Sequence, residues 1–276
     1  MAATDPYERA MALMTASRHA EAIPLFDAAI AREPTRARIY SNRGQSLQQL
    51  GEREQARASV ARGVELRGDD AYPLLLAARV TLAHDDLTAA RGYAEAAWAA
   101  RAHVDPELAA EAVEIAAYCL NTEGGWRAAL RLLDEALGVF ADNATLIGTR
   151  ASTLASGDRW GEGAREIARA LALAPEDAGL VKRAQTIARG LAVVAAGLVT
   201  ARAEAQASPT SWEAWHGLGV ALWMTGDPLD ASAAFARARK LHPDPTYRRG
   251  DSSALSTWEV DCKLATLATG SPSPAR

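Results

Sequence analysis

Along most of this chain apolar and polar residues alternate with the period of an α-helix, most clearly between Trp215 and Pro243. Trp215, Leu218, Gly219 and Leu222 fall at i, i+3, i+4 and i+7, which is one stripe of a first helix. Ala231, Phe235 and Ala238 stripe a second helix. Gly226-Asp227 between them predicts a turn, and Pro243 predicts the stop. Thr210 with Glu213 predicts a capping box at the start. Small Gly219 and Ala231 predict that the two backbones approach closely.

The same stripes recur when the chain is stepped back 34 residues at a time. Ala151, Leu154, Trp160, Ile167, Ala170 and Pro175 mark a repeat over about 144–177, and Ala117, Leu120, Gly124, Ala129, Leu133 and Ala136 one over about 110–143. Ala10, Leu13, Ala22, Phe26, Ala29 and Pro34 fit 3–36, and Tyr40, Gly44, Leu47, Ala56 and Val60 fit 37–70. Residues 71–104 match through Leu74, Ala78, Ala90 and Ala97. Residues 105–109 are an insertion in which Asp105-Pro106 reads as an N-cap followed by a first-turn proline. Residues 178–211 have the right length but carry Gln185 and Glu204 where small residues are expected, which predicts a helical pair with altered packing.

The motif W-x2-L-G-x2-Y, then A-x3-F, then P, on a 34-residue period, is that of the tetratricopeptide repeat. The stretch from Trp215 resembles it at nearly every place, with Leu222 standing for the Tyr, and the resemblance covers residues 3–245 as seven repeats, the last over 212–245. It implies an all-α fold: an α-solenoid of stacked antiparallel helix pairs winding into a right-handed superhelix with a concave inner face. Each repeat exposes an apolar face that only a neighbour buries, so the ends need caps. Leu255, Trp258, Cys262 and Ala265 lie on one stripe, predicting a capping helix over 251–269, with 270–276 a disordered tail.

Composition agrees and narrows the class. The 276 residues include 64 alanines, which favour helix. Arg outnumbers Lys 27 to 3, a bias typical of high-GC bacterial genomes; with net charge −4 and pI near 5.8, no global attraction to phosphate results. The N-terminal MAATDPYERAM has charges where a signal peptide needs an apolar core, and the longest apolar run, Leu191 to Val199, is far below the ~20 residues that span a bilayer. The expectation is a cytoplasmic protein with no membrane and no nucleic-acid partner.

Motifs for catalysis are missing: there is no G-x-x-x-x-G-K-[ST], G-x-S-x-G or H-E-x-x-H. His84-Asp85-Asp86 falls where the third repeat turns, so a solvated turn is expected rather than a metal site. Cys119 and Cys262 sit at or beside packing stripes and form no metal or disulfide framework. Trp126, Trp160 and Trp215 read as packing within repeats. No cofactor or metal is implied.

By the resemblance, inward-facing groove positions come from the first helix of each pair. They are Tyr7, Met11 and Met14; Arg38, Ser41, Gln45 and Gln48; Tyr72 and Arg79; Tyr118 and Asn121; Thr149, Ser152 and Ser156; Lys182, Thr186 and Arg189; and His216, Val220 and Trp223. Lys182 and Arg189, seven apart on one helix side, suit either an acidic peptide or the solvated face of a degenerate repeat, and Trp223 suits either an anchor or plain packing of its helix. In IYSNRG, Asn42 falls at the middle Asn of the carboxylate clamp found in some tetratricopeptide co-chaperones. The neighbouring repeats offer Tyr7, Met11, Tyr72 and Leu76 instead of the clamp's cations, and one Asn alone does not neutralise a carboxylate. The expected function is a non-catalytic scaffold or adaptor holding a protein or peptide partner in the groove. The alternative is a regulatory or targeting subunit of an enzyme or secretion complex that binds by its convex face or ends. An enzyme with a groove-assembled site is a third reading. Oligomeric state is left open by the sequence.

Overall fold

The computed structural model describes residues 5–103 and 105–243, within which the fold is an all-α helical repeat solenoid. The expected capping helix and tail, with Trp258 and Cys262, lie outside the described residues. Five helix pairs open the chain: α1 Pro6–Thr15 with α2 His19–Arg32, α3 Ala37–Gln49 with α4 Arg53–Leu66, α5 Ala71–Ala83 with α6 Leu87–Ala99, α7 Pro106–Thr122 with α8 Trp126–Val139, and α9 Ala144–Ser156 with α10 Trp160–Leu173. A short 3-10 turn, Arg101–His103, begins the insertion ahead of α7. A single long helix, α11 Ala178–Ala207, follows, and then α12 Trp212–Thr225 and α13 Pro228–Leu241. The described residues divide into two compact bodies, one ending at Thr149 and the other beginning at Arg150, with the boundary inside α9.

The turns explain the pairs. Each hairpin carries one residue in the left-handed region: Ser17, Gly51, Asp85, Gly124, Asp158 and Gly226, with φ between 59° and 84°. Their intervals are 34, 34, 39, 34 and 68 residues, so the repeat period and its five-residue insertion are written into the turns. Left-handed backbone is disfavoured for residues with a Cβ, and Gly or Asp bears it best. One period after Asp158 stands Ala192, which has no such tolerance. There α11 runs on without a break, and the helical pair expected over 178–211 is one 30-residue helix instead.

Asp side chains open many of the helices. Asp5, Asp70, Asp86, Asp105, Asp177 and Asp227 each accept a backbone N–H of their helix's first turn. Ser211, not Thr210, caps α12: its Oγ accepts from the Ala214 N–H at 3.1 Å and donates to Glu213 Oε2 at 2.8 Å. Small residues let paired helices touch. A Cβ added to Gly44 would lie 2.5 Å from Val60 Cγ1, and one added to Gly219 would lie 2.6 Å from the Phe235 ring. In the first body the core runs through Ala10, Ala22 and Phe26, then Leu47, Ala56 and Val60, then Leu74, Ala78 and Ala90, to Val113 and Leu133. In the second body it gathers Ala201, Ala205, Leu218, Leu222, Ala231 and Phe235.

By length and composition α11 is the one described helix apolar enough to cross a membrane. Its most apolar 18 residues have a mean hydropathy of 1.4, and 6% of them are buried. The uninterrupted run Leu191–Val199 understates this, because isolated cations interrupt a longer apolar stretch.

Candidate functional site

In the first body the expected groove residues are tied to one another. Asn42 is fully buried on α3. Its Nδ2 donates to the Tyr7 hydroxyl at 2.9 Å, and the Tyr72 hydroxyl donates to its Oδ1 at 2.6 Å. One amide thus joins α1, α3 and α5 with both of its ends satisfied, as a buried polar group requires. Burial raises the Tyr72 hydroxyl above its ordinary pKa, so it stays a donor. The Arg36 guanidinium covers the Tyr7 ring at 4.3 Å and Arg38 covers Tyr72 at 4.8 Å. Arg38 also reaches Asp70 at 4.0 Å, and Arg79 binds Glu111 through two nitrogens. Met11 packs half-buried on the Ala10–Phe26 cluster, and Gln45 and Asn121 are half-buried. Tyr118 is 56% exposed. The cations on this face therefore have carboxylates or rings of their own, which leaves no charge for a clamp around Asn42.

The second body holds a cavity of about 510 Å³ built where α9, α10 and α11 meet. From α9 come Ser152, Ala155 and Ser156, and from α11 come Lys182, Arg183, Thr186 and Ile187. Asp158, in the left-handed turn, and Trp160, the first residue of α10, close it. The Trp160 ring lies on the backbone of α11, where a Cβ added to Gly190 would come within 2.1 Å of Cζ3. Glycine inside a helix costs about 1 kcal/mol relative to alanine; here it makes room for that ring. Ser156 Oγ donates to the Ser152 carbonyl at 3.1 Å, and Thr186 Oγ1 to the Lys182 carbonyl at 3.1 Å. With their protons so engaged, these hydroxyls present acceptor lone pairs, one of which on Thr186 already accepts from Arg189 Nη2 at 3.5 Å. The cavity thus offers two cations, hydroxyl acceptors, an apolar floor of Ala155 and Ile187, and one carboxylate at its rim.

Of the residues expected in the groove of the second body, Ser152, Ser156, Lys182 and Thr186 line this cavity, and Arg189, Trp223 and His216 do not. Arg189 is exposed, does not line the cavity, and donates from Nε to the Gln185 carbonyl at 3.3 Å. Trp223 is 2% exposed and belongs to the core of the second body, so it does not anchor a partner. The reason is local: α10 touches α12 directly. Gly161 lies so near the Thr225 carbonyl that an added Cβ would sit 1.9 Å from its oxygen, and the Arg159 guanidinium covers the Trp223 ring at 5.4 Å. His216 is half-buried between Trp212 at 6.3 Å and Phe235 at 5.8 Å, a packing position. Burial lowers its pKa, and its Nε2 has no hydrogen-bond partner among the described residues. Trp160, Arg183, Asp158 and Ile187 are not assigned to the groove from sequence. Asp158 and Trp160 open α10, and Arg183 and Ile187 follow Lys182 and Thr186 by one residue, so a reading restricted to one helix stripe passes over them.

The other candidates are structural. His84 ends α5 as its C-cap, with its pKa lowered by burial and then by Arg53 and Arg57. Cys119 is buried in the first body, and burial raises its thiol pKa. Among the described residues no three His, Cys, Asp or Glu side chains gather as a metal ion would require.

A family model described as tetratricopeptide repeat matches residues 13–80. Tetratricopeptide repeat protein 33 from Homo sapiens is 28% identical over 157 residues, covering 56% of this chain and 60% of that protein. The chain therefore spans less than two thirds of that relative's length. A tetratricopeptide repeat protein from Parabacteroides merdae ATCC 43184 superposes with a TM-score of 0.57 at 14% identity, covering 92% of this chain and 97% of the other. The type IV pilus biogenesis factor PilW superposes at 0.54 and 12% identity, covering 91% and 95%. A thermophilic tetratricopeptide repeat protein of Thermus thermophilus does so at 0.51 and 18% identity, covering 66% and 96%. At these identities the structural likenesses speak for the fold alone.

Proposed function

We propose that the chain is a non-catalytic interaction scaffold of the tetratricopeptide repeat kind, whose partner segment lies in the α9–α10–α11 groove of the second body. Repeat solenoids of this kind serve in general as protein–protein interaction modules. The observation that carries the finer reading is the cavity itself. Its dimensions and mixed lining are those of a binding cleft, apolar below with a few polar groups converging from above. Lys182 selects an anionic side chain through charge-assisted hydrogen bonds. The Ser156 and Thr186 acceptors suit backbone or side-chain N–H groups of an extended segment. The Tyr7–Asn42–Tyr72 chain in the first body is support for the scaffold rather than a second recognition site, because its hydrogen bonds are already used internally.

Selection of a random peptide library on the full-length protein tests this. Enrichment of peptides carrying Asp or Glu is expected, with Lys182→Glu and Ser152→Trp each reducing their binding about tenfold or more. Peptides without acidic residues, or acidic peptides that bind both variants as tightly as the parent, would remove the groove from the account.

A further inference from the structure

We propose that the cleft of the second body takes a partner segment carrying both signs of charge. An acidic side chain of that segment meets Lys182 on α11, and a Lys or Arg side chain of the same segment meets Ser156 and Asp158 at the end of α9. This rests on the groove being the partner site, and it names the class of segment the groove takes.

The walls of the cleft differ in chemistry. From α11 comes Lys182, whose ammonium group has donors and no acceptor. From the end of α9 and the turn after it come acceptors: Ser156, whose proton goes to the Ser152 carbonyl at 3.1 Å, and the Asp158 carboxylate. The turn holds Asp158 in place. Its φ of 60° makes it the left-handed residue of the hairpin, and its backbone N–H donates to the Ala155 carbonyl at 3.0 Å. Other charges nearby are matched within the body. Arg159 donates to both Glu162 oxygens at 2.7 and 2.6 Å, and Arg150 and Arg169 reach Glu166 at 3.5 and 3.8 Å. Arg183 also has a partner of its own. Among the described residues neither Lys182 nor Asp158 makes an ion pair, with each other or with another group.

Charge complementarity then decides the occupant. A wholly acidic segment gains Lys182 but brings its remaining carboxylates toward Asp158, and like charges repel. A wholly basic segment has the reverse fault at Lys182. A segment with one charge of each sign satisfies both groups. The floor suits the cation as well, because Lys and Arg lay aliphatic stems along apolar surface while their heads reach polar groups. Ala155 and Ile187, 8% and 2% exposed, supply that surface together with the Trp160 ring. The head then has the Ser156 oxygen and the Asp158 carboxylate as acceptors in the same cleft. Lys182 and Asp158 are both exposed, so each contact alone is weak, and selectivity comes from meeting both at once.

Peptides selected from a random library on the full-length protein provide the test. They are resynthesised with both termini blocked, so that only side chains carry charge, and their affinities are read by fluorescence anisotropy. Selected sequences should hold Asp or Glu together with Lys or Arg, and replacing either charge by Ala should weaken binding about threefold or more. Asp158→Asn decides between the readings by sign, since Asn tolerates the left-handed turn and removes only the charge. A segment of mixed charge binds this variant about threefold more weakly, whereas a purely acidic segment binds it more tightly because a like charge is gone. Circular dichroism should show unchanged helicity. Binding that is unchanged or tighter in Asp158→Asn, or selected peptides without Lys or Arg, overturns the proposal. The groove reading survives that result if Lys182→Glu still weakens binding. Peptides indifferent to Lys182→Glu remove the groove, and this proposal with it.

Discussion

Single residues set what each helix pair tolerates, and the glycines show this with opposite signs. Gly161 faces backbone, with the Thr225 oxygen 1.9 Å and its carbon 2.4 Å from an added Cβ, and neither atom can swing away. Gly161→Ala should therefore lower stability by about 3 kcal/mol through forced separation of α10 and α12. Gly92 lies exposed within α6 with nothing within 4 Å of an added Cβ, so Gly92→Ala should raise stability by about 0.5–1 kcal/mol. Urea midpoints for the two variants check both signs. His216 and His84 act through protons. Burial depresses both pKa values below the ordinary 6.5, so as pH falls through that value the unfolded chain takes up protons first. Stability contributed by keeping these rings neutral is thus fully present above pH 6.5 and is lost as pH falls toward their folded-state values. Thermal midpoints should drop on acidification from about pH 7.5 to about 5.5, and less steeply in His216→Phe. Equal slopes in parent and variant would assign the loss to other groups.

At the scale of elements, turn chemistry decides where a helix ends. Ser17, Gly51, Asp85, Gly124, Asp158 and Gly226 accept left-handed backbone, and the hairpins follow them. Ala192 does not, and α11 continues. Ala192→Gly separates the two possibilities by sign. In a continuous exposed helix it should lower stability by about 1 kcal/mol, while at a left-handed turn it would raise it. A raised urea midpoint would contradict the 30-residue helix. The same element shows what the sequence can reveal. The stripes around Trp215 and the 34-residue step carry the fold, because packing in a helical repeat is local and each hairpin is bounded by its own turn. Ala192 is visible as a letter, but stripe spacing does not weigh it as a turn residue, so the sixth repeat is expected to fold as a pair. The misplacement of Trp223 lies one step further on: a face that points inward in a regular array is covered here by α10, and no spacing within α12 encodes that contact.

For the whole molecule, each body uses its polar residues differently. In the first, Asn42, Tyr7, Tyr72, Arg38 and Arg79 are consumed in internal hydrogen bonds, ring contacts and ion pairs. In the second, Ser152, Ser156, Thr186, Lys182 and Arg183 converge on a cavity. Sequence reading assigns groove positions evenly along the array. It does not tell which cations are paired across repeats, since partners such as Glu111 come from another repeat. The central claim is that the cleft of the second body meets the partner. The most direct measurement places a photo-crosslinking amino acid at Ser156, inside the cleft, or at Leu173, an exposed position at the far end of α10, and irradiates the full-length protein in its native cells. A discrete protein adduct from position 156, suppressed by Lys182→Glu and missing from position 173, is the predicted result. Adducts from position 173 with none from 156 would place the partner on another face and contradict the account.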